Sequence, residues 1–174
     1  MRDMKSDTSG TKKAFGFIVV FVCALFMFIF VYGLIRVSLQ DGESSSRITQ
    51  AVILKIGNAV FDEELTSEQV NALNLFLRCL AHFVLFFMLS FGLCIVACLI
   101  FTKPVGRTAG VLFAAIISIA LAYFTEYFKQ YVAGRHFQTD DAWLNLVGVV
   151  MGICFFVVAR VVFWAIDMRG ASKG

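Results

Sequence analysis

Arg78 and His82 stand four residues apart in an otherwise apolar run, so a helix there places a guanidinium and an imidazole on one face. Glu126 closes a later uncharged run, and the polar stretch that follows holds Arg135, His136, Asp140 and Asp141. Asp141, Asn145, Gly148 and Gly152 then recur at spacings of four, three and four, which makes one helical stripe, polar at its start and glycine-lined beyond. Arginines grip phosphate with two parallel hydrogen bonds, and a histidine beside a carboxylate orients or transfers protons. Each ionisable side chain within an apolar span costs ~2.5–3.5 kcal/mol on insertion scales, so each asks for a partner or a purpose. The plainer account of Glu126, Arg135 and Asp141 is a set of interhelical ion pairs that close one end of a bundle and fix its register. For His82 it is a helix-to-helix hydrogen bond.

The elements that must position these groups are set by composition. The 174 residues are 60% hydrophobic and only 16% charged, with a mean hydropathy of +0.84. A soluble domain of this length cannot hide that much apolar surface from water, so the chain is solvated by lipid. Disorder, a secreted disulfide scaffold and nucleic-acid binding are excluded, since no basic block is long enough to track a phosphate backbone.

Four apolar runs are long enough to cross a bilayer as helices. Ala14 to Ile35 has no charge and covers ~33 Å at helical rise, which reads as a signal anchor in place of a cleaved peptide. The second run, Cys79 to Thr102, is broken only by His82 and extends upstream to Asn71; Thr66 with Gln69 three residues on predicts a capping box at its start. Thr108 to Thr125 follows a short turn at Lys103, Pro104, Gly106 and Arg107. The fourth run goes from Ala142 past Arg160 to about Ile166, with Trp143 and Trp164 as interface anchors and Arg160 snorkelling to the headgroups.

Alternate connections sum to nine basic and three acidic residues on one side, and six basic and nine acidic on the other. By the positive-inside rule the +6 side is cytoplasmic, which predicts a multi-pass cell-membrane protein with both termini inside. The expected organisation is an all-α bundle of four transmembrane helices over residues 14–166, with cytoplasmic tails at 1–13 and 167–174 and an outer loop at 36–73. Within that loop, Ile48 to Phe61 carries Ile48, Val52, Ile56 and Val60 at helical spacing but is too short to span, which suggests an interfacial or re-entrant segment. The five cysteines all fall in apolar runs, and Cys94 with Cys98 lacks a histidine or carboxylate nearby, so neither a disulfide, a metal nor a cofactor is expected.

In order and spacing, Glu126, Gly134-Arg135, Asp140-Asp141, Asn145, Gly148 and Gly152 resemble the VanZ-like membrane proteins. Arg78-Cys79-Leu80-Ala81-His82-Phe83 is similar to that family's Arg-Lys-Leu-Ala-His-Phe signature, and Ser38, Gln40 and Ser44 to Ser46 match more weakly. Departures are Cys79 for a usual Lys, Phe86 for a usual Tyr, Lys129 for a Gln and Ala133 for a Pro. The resemblance implies a cell-envelope protein of a family named for an association with resistance to the glycopeptide teicoplanin. It leaves Arg78, His82, Glu126, Arg135, Asp141 and Asn145 as the ligand-binding set. The expected partner is a membrane lipid or a lipid-linked cell-wall precursor whose anionic head group enters an outer-leaflet pocket. Two alternatives stand beside it: an enzyme transferring or hydrolysing a head group, with His82, Glu126 or Asp141 as catalytic groups, and a small ion-coupled transporter with Glu126 as proton carrier.

Overall fold

The computed structural model describes residues 4–38, 51, 53, 55, 66–132 and 134–171. Among these, four long helices account for the architecture: α1 (Met4–Ser38), α2 (Ser67–Ile100), α3 (Pro104–Lys129) and α4 (Thr139–Ala171). Each contains a stretch long and apolar enough to cross a membrane, the first over Gly16–Arg36. The all-α polytopic bundle expected from composition is therefore what the chain forms. Its surface makes the same point, since Phe17, Phe28, Leu112, Phe163 and many other large apolar side chains stand exposed and need lipid around them. All four helices outrun their apolar cores. The helical backbone of α1 begins within the stretch expected as an N-terminal tail and α4 enters the expected C-terminal one. The 34 residues of α2 reach ~51 Å, well beyond a ~30 Å hydrocarbon layer.

Helix ends are fixed by local chemistry. Thr66 caps α2 with the expected reciprocal box: its hydroxyl accepts from the Gln69 amide at 3.4 Å and its own amide donates to Gln69 Oε1 at 2.9 Å. Lys103 precedes a proline, which forces it extended (ψ 144°), and Pro104 then opens α3 where its missing N–H is not needed. After α3 the chain turns through Gly134 at φ 73°, a left-handed conformation that a β-carbon would strain. The segment around Ile48 to Phe61, Gln40, Ser44 to Ser46 and Ala133 lie outside the described residues, except that 51, 53 and 55 are helical and Ile53 is fully buried.

The core belongs to α2, α3 and α4, with α2 and α4 in the longest contact. Along α4 the buried face is Asp141, Asn145, Gly148, Val149, Gly152 and Phe156, which contains the whole stripe anticipated from spacing. A β-carbon on Gly148 would lie 2.5 Å from the Phe83 carbonyl oxygen, and one on Gly152 would strike Ser90 Oγ and the Phe87 carbonyl. These two glycines let the backbones of α2 and α4 touch. Ser90 then ties them, donating to the Val149 carbonyl at 3.0 Å. On α3 the buried face is small, Gly110, Ala114, Ser118 and Ala122, and runs directly into Thr125, Glu126 and Lys129. Helix α1 packs on α2 and, less, on α3 through Met27 and Leu34 and leaves most of its surface to lipid.

Candidate functional site

Where the buried stripes of α2, α3 and α4 meet at one end of the bundle, they bring Arg78, His82, Glu126, Lys129, Asp141 and Asn145 into one cluster. Asn145 is fully buried and sets its geometry. Its amide Nδ2 donates to the Ala122 carbonyl at 3.3 Å and to Glu126 Oε1 at 3.4 Å. A backbone carbonyl cannot donate, so the amide orientation follows, and Oδ1 turns toward His82 Nδ1 at 2.8 Å. Nδ1 must then carry the proton and donate. Nε2 is left facing Asp141 Oδ2 at 3.4 Å, and it is the ring position at which a proton can be gained or lost.

Asp141 gathers the cations. It accepts from Arg78 Nη2, faces His82, and lies 3.6 Å from Lys129 Nζ. Lys129 donates to Glu126 Oε1 one helical turn earlier on α3 and is only 1% exposed. A lysine is almost never buried that deeply unless it is paired, and here two carboxylates pair it. Arg78 and Lys129 against Glu126 and Asp141 balance while His82 is neutral. A second proton on His82 makes the cluster cationic.

The groups differ in how they meet the surroundings. Glu126, Asn145 and Lys129 are closed in, whereas the Arg78 side chain is 41% exposed at the rim. Both hydrogen bonds that Arg78 makes with described residues, to Asp141 Oδ2 and Gln138 Oε1, leave from Nη2. Its Nε and Nη1 make no hydrogen bond with a described residue. Glu126 Oε2 is buried and accepts no hydrogen bond from a described residue. Arg135 lies half-buried and engaged in the connection before α4, its backbone N–H donating to the Val132 carbonyl at 3.1 Å. His136 and Asp140 in the same connection are exposed.

Five of the six residues expected to converge thus do so through direct contacts: Arg78, His82, Glu126, Asp141 and Asn145. Lys129 and Gln138 join them without having been expected. Lys129 stood out only as a departure from a family pattern, although its place three residues after Glu126, at the end of an uncharged run, puts the two on one helix face. Gln138 carried no signal beyond its place in a polar connection. Phe86, another departure from that pattern, is buried in the apolar cluster with Leu89 and Val149 and takes no part.

His82, Glu126 and Asp141 each offer a ligand atom, all within 4.8 Å of one another, and could hold a small cation. The Lys129 ammonium already faces both carboxylates of that trio and Arg78 pairs with Asp141, so a metal would have to displace cations that balance its own ligands. The cluster's own chemistry is of two kinds: an exposed guanidinium edge suited to an anion, and a proton-exchanging nitrogen behind it.

Fold and site together define a multi-pass helical membrane protein with a charged cluster buried at one end of its bundle. The family model described as VanZ/LLP1 matches residues 15–160, and the chain belongs to that family. No curated protein and no solved structure matches it.

Proposed function

We propose that this envelope membrane protein binds a phosphate-bearing head group, of a phospholipid or a polyprenyl-linked wall precursor, at the Arg78 end of its bundle. The charge split of the connections supports a topology with that end outside and both termini in the cytoplasm. The observation that carries the reading is the divided guanidinium of Arg78, anchored on Asp141 and Gln138 through one nitrogen while the side chain stays 41% exposed, which leaves its other edge for an anion. Arg135 in the adjoining connection supplies a second guanidinium. Holding a wall precursor in this way would change the access of glycopeptides such as teicoplanin to their target.

The enzymatic alternative has less support, because both ring nitrogens of His82 face protein acceptors and neither is presented to a substrate. The transporter alternative is weaker still. Glu126 is clamped by Lys129 and Asn145, and no described helix is broken at mid-depth.

Exchanging Arg78 and Asp141 would set an arginine against Lys129 and His82, so the informative change is Arg78→Lys. Lysine keeps the charge and the pairing with Asp141 but loses the fork. The variant should assemble with parental heat resistance and retain about tenfold less phosphate lipid on purification, read by mass spectrometry, since a charged hydrogen bond contributes ~1.5–3 kcal/mol. Glycopeptide susceptibility of a sensitive host, at matched membrane levels, should move in parallel. Unchanged lipid retention would leave the cluster as a packing device. Sidedness is checked with an impermeant thiol reagent, which should label a cysteine placed at Gln138 and spare one at Lys103.

A further inference from the structure

At the end of the bundle opposite the cluster, residues of α2, α3 and α4 line a groove of about 800 Å³. Its floor is apolar, with Val111, Phe156 and Val157, and its rim carries Arg107, Arg160 and Trp164. The two arginines come from different helices and meet no carboxylate among the described residues. Arg107 is anchored by one hydrogen bond, Nε to the Phe101 carbonyl at 3.0 Å, which leaves both terminal nitrogens for another acceptor. Arg160 donates from Nη1 to Cys98 Sγ at 3.2 Å, a weak acceptor that a phosphate oxygen readily replaces. Pro104 and Thr108 place the first turn of α3 on the same rim, and its N-cap Lys103 makes no side-chain capping bond, so the positive end of that helix adds to the field.

From this we infer that the groove is a binding site for one anionic phospholipid of the leaflet at this end, its phosphate between Arg107 and Arg160 and one acyl chain along Val111, Phe156 and Val157. The apolar floor calls for a chain and the paired guanidiniums for an anionic head. A zwitterionic lipid fills the floor but brings a cation to the rim, where two arginines already stand. The site shares no residue with the Arg78 cluster and does not depend on what that cluster binds.

Trp164 on the rim provides the test, because the chain has only two tryptophans and the other, Trp143, marks the opposite end of α4. The Trp143→Phe protein is reconstituted in vesicles containing phosphatidylcholine or phosphatidylglycerol brominated on the acyl chain, and quenching of Trp164 is read. Quenching should show a preference for phosphatidylglycerol on the order of tenfold, from two arginines beside one anionic head. In the Arg107→Gln/Arg160→Gln variant the preference should fall to near one. Unbrominated phosphatidylglycerol should restore the parent's fluorescence saturably, which phosphatidylcholine should not do, and this reading stands even if the double variant fails to insert. Equal quenching by the two lipids, a preference that survives the double change, or recovery without saturation would each overturn the inference. So would a preference seen only at Trp143, in the Trp164→Phe protein.

Discussion

The two ends of the three-helix core solve the problem of charge in a membrane in opposite ways. At one end, Arg78, His82, Glu126, Lys129 and Asp141 are of both signs, come from all three helices and pair with one another, with Glu126 and Lys129 shut away from the surroundings. At the other, Arg107 and Arg160 are of one sign, sit on the rim and, among the described residues, are held by a carbonyl and a thiol. Ions of both signs can be buried because attraction offsets part of the desolvation, whereas like charges have to face outward to solvent or headgroup. The first end is therefore built into the packing. The second is added to it.

That contrast is most sharply tested at Lys129. Lys129→Met leaves the buried Glu126 carboxylate with no cation, a loss of ~3–5 kcal/mol, and should sharply lower the melting temperature in detergent. Adding Glu126→Gln removes the stranded charge and should recover much of the loss. Arg160→Gln at the far end should leave the melting temperature where it was. Equal losses from Lys129→Met and Arg160→Gln would erase the distinction between built-in and added charge.

The next largest effect compares helix contacts. Gly152→Leu drives a side chain into the Phe87 carbonyl and Ser90, neither of which can yield without moving α2, and should cost ~1–3 kcal/mol or prevent assembly. Gly92 faces only the flexible end of Met27 on α1, so Gly92→Ala should be mild. Similar melting losses from both would mean that α1 is as firmly packed as α4. The smallest effect is expected at Gly134, where Ala would be held at φ 73° for ~1–2 kcal/mol. Its melting loss should be the least of the three destabilising changes, and lipid retention should fall with it, since the turn leads Arg135 and Gln138 to the site.

Much of this arrangement is legible in the residues. Run lengths give the four helices, Thr66 and Gln69 give one start, and the four-three-four spacing from Asp141 to Gly152 gives the face of α4 that α2 touches. His82 and Arg78 lie on the matching face of α2 by their spacing alone. Lys129 was not legible because a lysine at a span's end ordinarily points to water; only the approach of α2 and α4 encloses it. The groove escapes sequence reasoning for a related reason. Cys98, Arg107 and Arg160 come from three helices, and nothing local tells that they line one groove.

Trp143 and Trp164 stand 21 residues apart on α4, both exposed, roughly 32 Å along the helix at 1.5 Å per residue. That is close to the ~30 Å of an average hydrocarbon layer, so α4 is gauged to the membrane it crosses. A thinner bilayer tilts such a rod, and tilting carries Asp141 and Arg160 in opposite directions at the same moment. Because the glycine contact clamps α4 to α2, the tilt moves both helices as one beam.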